Sequence, residues 1–208
     1  MCNAKIIPLK THDYSCNRYI VYNENCDTGV VIDPGCDSSV VLNELKRQNK
    51  KLGAILLTHA HYDHIQSVAE IKKATGAPVY LGKRDVGLLS SDGQLDWYFA
   101  KKLNPFIVDN RLIDGDIQLF GLNIKVIETP GHTHGGLTYV IGNDMFSGDT
   151  LFFETYGRTD LPGSDINELI SSAKKLFSLS GDYVMHCGHG KDTTLSHERE
   201  FNPIKQLF

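Results

Sequence analysis

The fold and the chemistry are decided by the stretch Ala54-Ile55-Leu56-Leu57-Thr58-His59-Ala60-His61-Tyr62-Asp63-His64. Its first four residues are typical of a buried strand, and three imidazoles and a carboxylate follow within six positions. Side chains two positions apart in extended backbone point the same way, so we expect His59 and His61 to converge on one ion. Asp63 and His64 lie where the chain turns into a helix and can face another ion. Imidazole and carboxylate ligands with open positions are typical of a catalytic metal site.

Three shorter motifs place a histidine or an aspartate beside glycine, each after a predicted strand. They are Pro130-Gly131-His132-Thr133, Ser147-Gly148-Asp149-Thr150 and Gly188-His189-Gly190. Glycine lets the backbone turn sharply close to an ion, and strand ends on one edge of a sandwich bring distant positions together. Each motif alone is more typical of a turn. Because five of the nine histidines fall in these four motifs, we predict one common metal site.

Hydrophobic periodicity predicts two similar halves. The first half has strands at residues 6–9, 19–22 and 30–32, a helix from Asp37-Ser38 with apolar positions reaching toward Leu52, a strand at 54–57, a helix at 69–75 and a strand at 79–81. The second has strands at 117–120, 122–128, 137–141 and 145–147, a helix at 165–179, a strand at 183–185 and a helix at 195–201. Two meanders, each followed by helix and strand, predict an α/β fold, a four-layer α-β-β-α sandwich of two mixed sheets with flanking helices. We expect a single domain over residues 1–208.

Composition restricts the partners. A net charge of -4 without a basic block argues against nucleic acid and against anionic membrane surfaces. Apolar runs are far shorter than the roughly 20 residues of a membrane helix, and the first ten residues lack a signal-peptide apolar region. Five cysteines without a C-x-x-C pair indicate neither a disulfide framework nor a thiolate zinc site. We therefore expect a cytoplasmic protein that acts on a small molecule.

The motifs together resemble the metallo-β-lactamase superfamily, and specifically its small, single-domain, glyoxalase II-like hydrolases. The resemblance covers nearly the whole chain and includes Val31-Ile32-Asp33-Pro34-Gly35 and residues 157–163. It implies that His59, His61 and His132 hold a first metal ion and that Asp63, His64 and His189 hold a second. Asp149 would bridge both ions. The ions would be two divalent metals, Zn²⁺ first, with iron or manganese as alternatives.

The resemblance implies hydrolysis of a thioester or ester carbonyl, such as that of S-lactoylglutathione. Two cations about 3.5 to 4 Å apart lower the pKa of a shared water, and the bridging hydroxide would attack the carbonyl. Asp63 is assigned a catalytic role in orienting this nucleophile in addition to its role as a ligand. Asp149 stands where several β-lactamases of the superfamily carry cysteine, and His61 where diiron flavoproteins carry glutamate, which argues against both activities. Full-length glyoxalase II has a further helical domain for glutathione, whereas 19 residues follow His189 here, so recognition of glutathione stays open.

Three alternatives stay open. The histidine motif and Gly157-Arg158-Thr159-Asp160 also resemble mononuclear iron persulfide dioxygenases. Lactone hydrolysis would use the same site. A non-enzymatic metal-binding module is the third alternative, because a fold does not fix a function.

Other positions receive structural predictions. We expect Arg158 and Asp160 to pair, and His134 to be a candidate for supporting a ligand or substrate. His12 and His197 are expected at the surface, and His186 at a strand end. The cluster Trp97-Tyr98-Phe99 is interpreted as core cover, with a substrate cap as the alternative. Ile65-Gln66-Ser67 replaces the small Gly-Gly pair common in relatives, which would narrow the pocket or shift the start of the helix.

Overall fold

The first sheet has six strands in the order β1-β2-β3-β4-β5-β6, seen in a computed structural model that describes residues 4–9, 16–89 and 103–208. Neighbours are antiparallel from β1 to β3 and parallel from β3 to β6. The predicted opening meander is therefore confirmed. The strands are β1 (Ala4–Pro8), β2 (Tyr19–Asn23), β3 (Thr28–Ile32), β4 (Lys51–Leu56), β5 (Val79–Gly82) and β6 (Asn110–Leu112).

The second sheet also has six strands, in the order β14-β13-β10-β9-β8-β7. All neighbours are antiparallel except β10 and β13, so β8, β10 and β13 run in one direction. A separate two-stranded ribbon pairs β11 with β12. The strands are β7 (Gly115–Leu119), β8 (Leu122–Glu128), β9 (Leu137–Ile141), β10 (Asp144–Gly148), β11 (Leu151–Phe152), β12 (Thr155–Tyr156), β13 (Val184–Cys187) and β14 (Thr193–Thr194).

Helices cover the outer face of each sheet. Asp37 caps α1 by accepting from Ser39 N, and Asp165 caps α4 by accepting from the N–H groups of Asn167 and Glu168. The helices are α1 (Ser38–Arg47), α2 (Tyr62–Ile65), α3 (Val68–Thr75), α4 (Ile166–Phe177) and α5 (Leu195–Phe201), with 3₁₀ turns at Lys83–Leu89 and Pro203–Leu207. No helix in the described part of the chain is long and apolar enough to cross a bilayer.

Alternating side chains divide the apolar interior into three layers. Along β2, Ile20 packs toward the helices while Tyr19 and Val21 pack toward the second sheet. This period of two is what a strand buried on both faces requires. The middle layer lies between the sheets, and the third layer packs Val140 and Met145 against α4. The predicted four-layer α-β-β-α sandwich is confirmed.

The predicted extent of the first helix was wrong. Helix α1 ends at Arg47, and Leu52 lies in β4 rather than on the helix. Asn49 takes a positive φ of 52°, the left-handed conformation that ends helices. The apolar spacing from Leu45 to Leu52 therefore spans a turn. The cluster at residues 97–99 lies outside the described residues, as does His12.

Candidate metal centre

Strand ends carry all the predicted ligands to one edge of the sandwich. The first sheet delivers residues 59–64 after β4, and α2 begins at Tyr62, so Asp63 and His64 fall in its first turn. The second sheet delivers its ligands after β8, β10 and β13, which are His132, Asp149 and His189 respectively. Strands that run in one direction end at one edge, so these three positions meet although they are far apart in the sequence.

A first cluster consists of His59, His61 and His132, whose ligand atoms lie within 4.8 Å of one another. All three side chains are buried. Nδ1 of His61 and Nε2 of His132 face each other at 2.9 Å. Because His132 Nδ1 lies 2.9 Å from the Arg158 carbonyl oxygen, which can only accept, that nitrogen carries the proton. The lone pair on Nε2 then points into the cluster.

A second cluster consists of Asp63, His64 and His189, again within 4.8 Å. Oδ2 of Asp63 lies 3.1 Å from His189 Nε2, and Nε2 of His64 lies 3.4 Å from the same nitrogen. His64 Nδ1 donates to Asp33 Oδ2 at 2.9 Å, which turns its Nε2 toward the cluster. The imidazole of His64, like that of His132, is thus oriented from behind by a protein acceptor.

Asp149 lies between the two clusters. Its Oδ2 is 3.3 Å from His132 Nε2, and its Oδ1 is 3.4 Å from His64 Nε2. Gly188 makes room for this carboxylate, since a Cβ at that position would lie 2.0 Å from Oδ1. All seven sequence-predicted ligands are therefore brought together, with Asp149 between two groups of three.

Two buried atoms in the cluster fit a bound cation. Nε2 of His59 and Oδ1 of Asp149 have no hydrogen-bond partner among the described residues. A buried polar atom without a partner costs about 1–3 kcal/mol, so such atoms call for another ligand. A donor set of five imidazoles and two carboxylates with inward lone pairs suits divalent metal ions of the zinc and iron type.

Protonation states agree with this fit. Burial lowers the pKa of His59 well below its ordinary value and that of His61 to about 3, which keeps both imidazoles neutral. Burial alone would raise the pKa of Asp149, but the charges of His64 and its histidine neighbours outweigh burial and lower it. Burial alone would lower the pKa of His64, but the surrounding acidic groups, Cys16 and Asp149 foremost, raise it well above its ordinary value. The centre thus attracts positive charge, which a cation supplies.

A cavity of about 370 Å³ opens onto the clusters. One wall consists of the predicted ligands His61, Asp63, His132, Asp149 and His189. The rest of the cavity is lined by Phe152, Thr155, Tyr156, Arg158 and Leu161. The cavity is therefore polar where the predicted ligands line it and largely apolar elsewhere, apart from the guanidinium of Arg158.

The structure also shows where the other residues with sequence-based predictions lie. Arg158 pairs with Asp160 as expected, through two contacts of 2.6 and 2.7 Å. His134 is half-exposed and contacts Glu168, and it does not line the cavity. His186 lies on β13 between Asp144 and Asp192. Half-buried His197 contacts Glu154.

The segment after His64 interrupts the helix and does not line the cavity. Residues 66–67 form a turn between α2 and α3. Ile65 is fully buried in the first core, and Ser67 donates to the Pro34 carbonyl at 2.6 Å. Both side chains therefore serve packing.

Three supporting residues were not predicted from the sequence. Asp33 accepts from His64 and from the backbone and hydroxyl of Thr58. The thiol of Cys16 donates to the Asp63 carbonyl at 3.0 Å. Asp85 is fully buried between the loops that carry the histidines. The Asp33-Pro34-Gly35 turn at a strand end was a usable signal for Asp33, whereas the other two have no local signal.

Comparison with known proteins identifies the family. The model of the metallo-β-lactamase superfamily matches residues 13–189. The chain belongs to this superfamily. It is 37% identical over 177 residues to a probable metallo-hydrolase of Streptococcus pyogenes serotype M6, covering 78% of this chain and 75% of the relative. It is 30% identical over 209 residues to the hydroxyacylglutathione hydrolase GloC of Haemophilus influenzae, covering 97% of each.

Solved structures of the superfamily agree with the fold. BLEG-1, described as a B3 metallo-β-lactamase, aligns with a TM-score of 0.87 at 32% identity, covering 96% of this chain and 98% of that chain. TTHA1623, solved in a di-iron-bound form, aligns with a TM-score of 0.84 at 36% identity, covering 95% and 98%. The chain is a metal-dependent hydrolase of the metallo-β-lactamase superfamily.

Proposed function

We propose that this chain is a dinuclear metal hydrolase that cleaves a thioester or ester carbonyl, with S-lactoylglutathione and related thioesters as the first candidates. The observation that carries the proposal is the pair of three-ligand clusters with Asp149 between them. A mononuclear centre would need only one cluster. The ligands proposed are His59, His61 and His132 for one ion, Asp63, His64 and His189 for the other, and Asp149 for both.

The chain's own residues have defined tasks in this reaction. When bound, the two ions would lower the pKa of a water and polarise the carbonyl. Asp63 lines the cavity, and its carboxylate is the group proposed to orient the attacking water and accept its proton. Burial raises the pKa of Asp63, but His64 and the hydrogen bond with His189 outweigh burial and lower it, so the carboxylate is ionised and able to accept. A thiolate leaving group departs without a strong acid, which suits a site where the described residues that line the rest of the cavity include no carboxyl group.

The rest of the cavity lining suits the acyl group of a thioester substrate and the anionic thiol portion of the same substrate. Phe152, Tyr156 and Leu161 offer apolar surface for the chain of the substrate. Arg158 supplies a cation in this lining, although it also pairs with Asp160. The relative named hydroxyacylglutathione hydrolase matches this chain over 97% of its own length, which supports a glutathione thioester for a chain of this size.

The identity of the metal is part of the proposal. Zinc is the first candidate because imidazole and carboxylate ligands with open positions are typical of its catalytic sites. Iron is the second candidate, supported by the di-iron form of TTHA1623.

The test combines elemental analysis with turnover on one purified sample. We expect two zinc or iron ions per chain and hydrolysis of S-lactoylglutathione, assayed beside other thioesters, esters, a lactone and a β-lactam. The β-lactam belongs in the panel because BLEG-1 is a named β-lactamase at 32% identity. One iron per chain with oxygen consumption would overturn the proposal in favour of a persulfide dioxygenase. Metal-replete protein that cleaves no member of the panel would favour a non-enzymatic module.

Replacing Asp149 with alanine tests the shared carboxylate. We expect Asp149→Ala to lose metal and turnover together, with turnover falling at least about 100-fold because the reacting groups are displaced. Asp116→Ala removes an exposed carboxylate on β7, away from the cavity, and serves as the control. Near wild-type metal content or turnover in Asp149→Ala would refute the bridging role.

A further inference from the structure

We propose that Asp85 is a positioning residue that joins the two histidine loops and sets the metal affinity of the His59, His61 and His132 cluster selectively. The inference rests on the proposed ligand set and goes beyond it, because Asp85 is not a ligand. It predicts that different residues support the two clusters, so that the affinity for each metal ion can be weakened separately.

The contacts of Asp85 connect segments that are distant in sequence. Its Oδ2 accepts from Ala60 N at 3.0 Å and from the Thr133 hydroxyl at 2.8 Å. Its Oδ1 accepts from Gly135 N at 2.5 Å. Ala60 stands between two ligands, and Thr133 follows a third. One carboxylate therefore fixes the backbone of both loops that supply the first cluster.

The Asp85 carboxylate is buried, and the loop that carries Gly135 approaches it closely. Asp85 and Thr133 are completely buried, so their hydrogen bonds are shielded from water. A Cβ at Gly135 would lie 2.3 Å from Asp85 N and 2.7 Å from its Oδ1, so only glycine lets the loop reach the carboxylate. The side chain is held on the 3₁₀ turn Lys83–Leu89, directly after β5. A rigid element thus determines where both loops lie.

The second cluster depends on other groups. Asp33 orients His64, and the Cys16 thiol binds the Asp63 carbonyl. The side chain of Asn17 donates to the carbonyls of Cys187 and Gly190, on both sides of His189. None of these contacts involves Asp85. Loss of Asp85 should therefore displace the first cluster more than the second.

Single-site backgrounds assign the effect to one ion. His189→Ala leaves the first cluster intact, and His61→Ala leaves the second. Asp85→Asn is added to each, and Zn²⁺ affinity is measured by competition with a chromophoric chelator. We expect zinc binding to weaken about 10- to 100-fold in the His189→Ala background, the usual range for a lost supporting partner, and less than about threefold in the His61→Ala background.

Glu198→Gln is the matched control. Glu198 is also completely buried, and it also accepts three hydrogen bonds, from Thr193, Asn202 and Glu154 N. Both substitutions should lower the free energy of unfolding in urea, but only Asp85→Asn should change the ratio of the two zinc affinities. Cobalt spectra of the two backgrounds give a second readout, with Asp85→Asn altering the bands of the first site alone.

Several results would overturn the proposal. An equal loss of zinc affinity in both backgrounds, or no loss in either, would do so. An equal effect of Glu198→Gln on the ratio of the two affinities would do so as well. If Asp85→Asn does not fold, Thr133→Val removes one of the three donors and should weaken the first site about three- to tenfold, and an unchanged affinity would contradict the role. Zinc binding by His189→Ala and by His61→Ala, each without Asp85→Asn, tests the proposed ligand set. A wrong ligand set can therefore be distinguished from an Asp85→Asn substitution that leaves the ratio of the two zinc affinities unchanged.

Discussion

Gly188→Ala should displace the shared carboxylate while the sandwich stays folded. The new Cβ would lie 2.0 Å from Asp149 Oδ1 and 2.9 Å from the carbonyl carbon of Gly148. Real Cβ contacts are essentially never shorter than 3.0 Å, so the carboxylate or its strand must retreat by about 1 Å. Metal ligands tolerate deviations of only about 0.2 Å. One oxygen of Asp149 can then no longer reach its ion.

The expected result is a loss of metal with a limited loss of stability. Metal content should fall from two ions to one or none, and turnover of the best substrate should fall about 100-fold, the cost of a 1 Å misplacement. Overpacking should lower the free energy of unfolding by about 1–3 kcal/mol. Elemental analysis, steady-state kinetics and urea unfolding measure the three quantities on one preparation.

The control is Gly87→Ala, in which the new Cβ meets no atom within 4 Å. It should retain metal and turnover and change stability by less than about 1 kcal/mol. If Gly188→Ala retains two ions and full turnover, Asp149 does not need its present position. The argument that it is shared between the ions would then be refuted.

Two further predictions concern metal removal and pH. Treatment with a chelator should lower the melting temperature, because a metal ion at 100 times its Kd stabilises a fold by about 2.7 kcal/mol, or roughly 5–10 °C for a chain of this size, and added zinc should restore it. A melting temperature unchanged by the chelator would contradict a cation in the buried clusters. Burial lowers the pKa of His186, but hydrogen bonds to Asp192 and Asp144 outweigh burial and raise it. The folded state then holds this proton more tightly than the unfolded chain does. Protonation of His186 therefore stabilises the fold, fully below about pH 6.5, and this stabilisation is lost as the pH rises through the folded pKa. His186→Gln should flatten this slope in urea unfolding of chelator-treated protein, and an equal slope in both proteins would exclude His186 as its source.

Local pattern was sufficient for the sandwich. Ile20 and Val21 face opposite layers of the interior, and so do Tyr139 and Val140 on β9, as strands buried on both faces require. Leu52 shows where pattern fails, because helical spacing between apolar residues does not reveal a left-handed residue between them. Asn49 ends α1, and its conformation depends on the turn into β4.

The proposed ligands could be selected from the sequence because metal chemistry restricts both residue type and spacing. His59, His61 and Asp63 stand close together in the sequence, and each distant ligand is marked by glycine. Their supporting residues are not so restricted. Asp85 sits in a polar segment and gains its role only when the loops at Ala60 and Thr133 fold over it. A tertiary contact of this kind has no signature in a single sequence.

The centre is a property of the packing between the two sheets. One cluster takes His59 and His61 from the first sheet and His132 from the second, so neither sheet can form it alone. Two hydrogen bonds fix the sheets to each other where the ligand loop begins, from Leu137 N to the Thr58 carbonyl at 2.8 Å and from the Tyr139 hydroxyl to the Leu57 carbonyl at 2.7 Å. Because these contacts adjoin the proposed ligands, a shift between the sheets would change the distances between the ligand atoms. Metal affinity should therefore respond to substitutions in the middle layer that leave the fold intact.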